Sequence, residues 1–135
     1  KLSMRSPPLV NPQDASRVMQ QILTQDPPYD AKVTFKVEDG SKGWNAPVLS
    51  DWLAKAANDA SMTYYKKPAA YMGEGGTIPF MGMLGEQFPD AQFMITGVLG
   101  PHSNAHGPNE FLHLDMVEKL TSCVSYVLSC FVPQK

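Results

Sequence analysis

The apolar periodicity changes twice within the first 38 residues, and this change constrains the fold more than any single motif does. Ala15, Val18, Met19, Ile22 and Leu23 recur at the i, i+3, i+4, i+7, i+8 spacing of one helix face. Asn11-Pro12 supplies a cap and a proline at the first helical position, with Asp14 in the first turn. Asp26-Pro27-Pro28 ends that helix. On either side the period is two. Residues 1–6 alternate, and Val33, Phe35 and Val37 alternate with Lys32, Thr34 and Lys36 as a half-exposed strand would. Residues 1–38 are therefore expected to run strand–helix–strand.

Glu38-Asp39-Gly40-Ser41-Lys42-Gly43 is polar and glycine-rich and reads equally as a linker and as a surface loop. Beyond it, Leu49, Trp52, Leu53, Ala56, Ala57 and Ala60 mark a second amphipathic helix. A tight loop at Tyr71–Gly76 leads to a third helix from Thr77 to Phe88. Ala91–Leu99 is nearly all apolar, as a strand covered on both faces would be. Asp115-Met116-Val117-Glu118 has the form of a capping box. It should open a final helix that turns Met116, Val117, Leu120, Val124, Val127, Leu128 and Phe131 inward. Alternating helix and strand is the pattern of an α/β fold.

Composition narrows the function classes. With 43% hydrophobic and 18% charged residues the chain is not a disordered tail. Eleven basic against thirteen acidic residues leave no nucleic-acid or membrane-surface footprint. The apolar run Phe93–Leu99, broken by Thr96 and Gly97, falls far short of the ~20 residues of a bilayer span. The eight methionines fall on apolar faces and read as core filling. Cys123 and Cys130, two helical turns or about 10 Å apart, are out of disulfide reach and suggest a reducing compartment. The opening Lys1-Leu2-Ser3-Met4-Arg5 reads as structured chain, which suggests a piece of a longer protein.

Chemistry concentrates in three places. Gly73-Glu74-Gly75-Gly76-Thr77 leads into a helix, whose first N–H groups and partial positive charge suit a carboxylate or phosphate. It reads equally as a tight turn with Thr77 as a plain cap. Gly100–Glu110 follows the expected buried strand, at the sheet edge where α/β folds bind ligands. His102, His106 and His113 all lie in or just after it. Gly107-Pro108 blocks the helical spacing that would let His102 and His106 share one ion, so a self-contained zinc site is not expected. Arg5, at the end of the first strand, can hold a carboxylate in two-pronged fashion or stand as a solvated arginine.

Taken together, Leu2-Ser3-Met4-Arg5-Ser6-Pro7-Pro8, Gly73-Glu74-Gly75-Gly76-Thr77-Ile78-Pro79 and Asn104-Ala105-His106-Gly107-Pro108-Asn109-Glu110 resemble, in order and spacing, a known family. It is the di-zinc peptidases of the carnosine dipeptidase, acetylornithine deacetylase and succinyl-diaminopimelate desuccinylase type, with the cytosolic dipeptidase branch most similar. The resemblance implies that residues 1–38 end a ferredoxin-like lid domain that also carries a homodimer contact. Residues 39–43 would be a hinge, and residues 44–135 the C-terminal part of an α/β catalytic domain. His106 would be a zinc ligand, within reach of the substrate. Arg5, Gly75, Gly76 and Thr77 would hold the terminal carboxylate of a dipeptide or N-acyl amino acid. Glu74 takes no assigned role, and His102 and His113 match no ligand position. The family's other zinc ligands and its general-base glutamate would lie upstream of Lys1. The resemblance thus implies a cytoplasmic zinc hydrolase of which this portion alone is inactive. The alternatives are a non-catalytic module that binds a small anion, and a truncated homologue retained for dimer contact.

Overall fold

The computed structural model describes residues 1–38, 40–73 and 79–132. The chain forms two compact units, Lys1–Ala46 with Gly73–Ala91, and Pro47–Met72 with Gln92–Lys135.

In the first unit, α1 spans Pro12–Thr24. The Asn11 side chain accepts the Gln13 and Asp14 amide hydrogens at 2.9 and 3.2 Å, which satisfies two of the donors every helix start leaves open. Leaving α1, the chain takes a single 3-10 turn at Pro28–Asp30 in which Tyr29 is left-handed (φ 60°). A second helix, α3, spans Pro79–Gln87. Leu2, Met4, Val10, Val18, Met19 and Ile22 line an open cleft of about 620 Å³, so the apolar stripe of α1 stays largely uncovered within its own unit.

The second unit is built on α2 (Asp51–Tyr64) and α4 (Leu114–Ser129), which pack against each other. Its core is Leu53, Ala56 and Ala60 from α2 with Val127 from α4. Ala60 is wholly inaccessible, so a methyl side chain sets how closely the two helices approach. Leu49, Cys123 and Tyr126 border this core. The Tyr65 hydroxyl donates to the Met116 carbonyl at 3.3 Å, and the rings of Trp52 and Phe131 meet at 5.4 Å. Burial pushes both the Tyr65 hydroxyl and the Cys123 thiol above their ordinary pKa.

These observations overturn the α/β expectation. Among the described residues there is no strand, hence no strand–helix–strand lid piece of ferredoxin-like form and no sheet in a catalytic domain. Alternation makes a strand only when a neighbour takes up its N–H and C=O groups. The Lys1 ammonium meets Glu38 at 2.8 Å, so the ends of the expected pair lie within side-chain reach. No ladder hydrogen bond joins residues 1–6 to 33–38 among the described residues. Residues 92 and 94–99, expected to be buried on both faces, are exposed, with Ile95 at 60% and Leu99 at 61%.

Two smaller expectations also change. The cap of α4 is His113, whose Nδ1 accepts the Met116 amide hydrogen at 3.3 Å, not Asp115. Asp115 instead pairs with Lys119 one turn on, at 2.8 Å. Leu128 faces solvent at 69% exposure, because α4 has one neighbouring helix and Leu128 is off the side that Val127 buries; Phe131, past the end of α4, is half-exposed although its ring meets Trp52.

Candidate functional site

The segment 100–113 leaves Gly100 and returns to α4 as a closed loop. The Ser103 amide donates to the Gly100 carbonyl at 3.3 Å, and the Phe111 amide donates to the Ser103 carbonyl at 3.2 Å. His113 lies directly on Gly100: a Cβ built there would collide with the His113 side chain, so the loop closes only with glycine at that point. Ser103 is buried at 3% exposure, and its hydroxyl has no hydrogen-bond partner among the described residues.

At its tip the chain turns sharply. The Gly107 amide donates to the Asn104 carbonyl at 2.9 Å, closing a turn whose third residue is His106. The Asn104 side-chain amide donates to the Pro108 carbonyl at 2.7 Å. The His106 amide donates to Glu110 Oε2 at 3.0 Å. His102, Asn104, His106 and Asn109 all take left-handed backbone, with φ between 54° and 63°. Each costs on the order of 1 kcal/mol for a residue with a Cβ, and Asp26, Tyr29, Asp30 and Lys66 adopt the same backbone elsewhere in the chain.

His106 is exposed, and neither ring nitrogen hydrogen-bonds to a described residue, so the imidazole is available as a donor to an external group. It does not make a metal cage here. Among the described residues no three His, Cys, Asp or Glu side chains gather where they could hold an ion. His102 is exposed in the same loop, and His113 is engaged as the α4 cap. Arg5 lies in the other unit, exposed and free of any ion pair to a described residue. Gly75, Gly76 and Thr77, with Glu74, lie outside the described residues.

Sequence reading passed over Glu110 and Asn104 as working parts of this loop. The available signal was spacing: an acceptor four residues after His106, and an asparagine before a Gly-Pro pair.

No helix among the described residues is long and apolar enough to cross a membrane. No protein-family model matches the chain. Among curated proteins, the chain is similar to the cysteinylglycine-S-conjugate dipeptidase of Corynebacterium striatum, with 32% identity over 120 residues. That alignment takes in 79% of this chain but 26% of the relative, so the chain spans about a quarter of that protein's length. The likeness supports a relationship at the level of a dipeptidase family.

Proposed function

We propose that this chain is part of a peptidase that hydrolyses the amide bond of dipeptides or N-acyl amino acids. The observation that carries the reading is the 32% identity, over 79% of the chain, to a protein named a dipeptidase. In this reading His106 is one ligand of a zinc centre whose other ligands come from outside these 135 residues. When bound, the metal polarises the scissile carbonyl and makes a water acidic enough to lose its proton near neutrality. The free imidazole of His106, on a turn held by three hydrogen bonds, suits that role.

The remaining roles belong to substrate binding. Arg5 takes the substrate's terminal carboxylate through paired N–H donors. Gly75 and Gly76 let the substrate approach the main chain, and Thr77 adds a hydroxyl to the same end. A homodimer formed through residues 1–38 and a cytoplasmic setting complete the proposal.

Two measurements test it. The 135-residue chain alone, supplied with zinc, is expected to show no dipeptide hydrolysis, since one ligand and no base leave water unactivated. Zinc-dependent turnover by this chain would overturn that. In the intact protein, Arg5→Ala should lower kcat/KM for free-carboxylate substrates by about tenfold or more while sparing their C-terminal amides. An unchanged ratio removes Arg5 from the binding role. Metal-independent capture of small carboxylates, read by calorimetry without turnover, would favour an anion-binding module instead.

A further inference from the structure

Helix caps are most often Ser, Thr, Asp or Asn, but α4 is capped by His113. Its Nδ1 accepts the Met116 amide hydrogen at 3.3 Å and so satisfies one of the donors that a helix start leaves open. A hydroxyl or amide cap keeps its acceptor at every pH; an imidazole does not. Nδ1 accepts only while the ring is neutral, with its one hydrogen on Nε2. A proton taken up at Nδ1 turns the acceptor into a donor that faces another donor. It also sets a positive charge at the positive end of the α4 dipole. Both effects act against the cap, and histidine ordinarily takes up that proton near about pH 6.5.

The same side chain closes the loop before it. His113 lies so tightly on Gly100 that no Cβ fits between them. The loop 100–113, with His106 at its tip, is thus shut by a residue whose other task is capping. On its own helix, Asp115 attracts a charged imidazole and opposes loss of the cap, but its carboxylate is already bonded to Lys119 at 2.8 Å. From α2, the Tyr65 hydroxyl reaches the Met116 carbonyl, and a phenol is uncharged throughout this pH range. From the loop, Gly100 and Pro101 bring no charge, His102 is exposed, and the Glu110 carboxylate accepts the His106 amide hydrogen.

We propose that His113 is an acid-sensitive latch: while neutral it caps α4 and holds the loop 100–113 shut against Gly100, and on protonation at Nδ1 it releases the first turn of α4 and loosens that loop. The latch works in the same way whatever His106 binds.

The test uses the intact protein that carries this sequence. Hydrogen exchange is followed at about pH 7.5 and about pH 5.5, on either side of the ordinary histidine range, and corrected for the intrinsic pH dependence of amide exchange. On lowering the pH, protection in the first turn of α4 should fall by about threefold or more, the size of a lost cap, and the peptide spanning residues 100–112 should lose protection with it. His113→Asn supplies a cap that does not titrate, so its protection should be equal at the two pH values. His102→Asn removes the exposed histidine of the same loop and should keep the pH dependence of the parent. A parent whose protection does not change with pH overturns the latch. So does a His113→Asn variant that keeps the pH dependence, or a His102→Asn variant that loses it. Nitrogen chemical shifts of the His113 ring give a check that needs no variant: at the higher pH the hydrogen should sit on Nε2, and a hydrogen on Nδ1 there overturns the proposal.

Discussion

At position 106 the backbone has φ 62°, a conformation in which a β-carbon crowds the following carbonyl. That gives an expectation independent of any metal. His106→Gly and His106→Ala both remove the imidazole, but only glycine adopts the turn without strain. The glycine variant should be the more stable by about 1 kcal/mol in chemical denaturation. Equal stabilities would mean that the turn is not left-handed in solution. Gly107 complements this. A Cβ there would press on the Asn104 amide, whose nearest atom lies 2.5 Å away, and would disturb the bond from Asn104 to Pro108. Asn104-Ala105-His106-Gly107-Pro108 could be read from sequence as a turn because Asn, Gly and Pro announce one. The bond from the His106 amide to Glu110 was not read, because spacing was its one signal and an exposed glutamate four positions away is commonplace.

Among the elements, the α2–α4 pair is the most exacting. Ala60 has no accessible surface, so Ala60→Leu has no room and must force the helices apart. A loss of about 1–3 kcal/mol is expected, visible as a lowered Tm. A Tm equal to the parent's would show that α2 and α4 do not pack at this point. The start of α4 carries a pH dependence. The Lys119 ammonium, bonded to Asp115, holds that carboxyl below the usual carboxylate range. A depressed carboxyl pKa contributes stability above its ordinary value and loses it as pH falls through the lowered one. The stability difference between the parent and Asp115→Asn should therefore shrink as pH drops below about 4, and high salt should shrink it too. A difference that stays constant down to about pH 2 would remove the ion pair as its cause. The helices themselves were legible: α1, α2 and α4 follow the 3.6-residue period, and Asn11-Pro12 marks a helix start in both sequence and structure. The His113 cap was not, because histidine is an unusual cap and Asp115 offered the familiar pattern.

At the scale of the chain, both units leave large hydrophobic side chains exposed, and the fully buried hydrophobics among the described residues all lie in the second. Among the described residues the buried hydrophobics are Leu53, Ala56, Ala60 and Val127, while Ile22, Met72, Leu99 and Leu128 are all more than 60% exposed. Such surface supports the proposal that further chain covers these faces in the intact protein. The isolated 135-residue chain should therefore enhance the fluorescence of an apolar-surface dye, and the intact protein should do so far less. A dark response from the isolated chain would show the faces already covered. The likeness to a quarter of a longer dipeptidase accords with that expectation.

The sequence alone determined where helices run and where the chain turns. Those are local properties, set by side chains within a few residues of one another. What the tertiary structure decided is whether period-two segments find partners. Val33–Val37 and Ala91–Leu99 carry strand patterns, yet neither is a strand, because a strand is completed by hydrogen bonds from a neighbour that its own residues cannot supply.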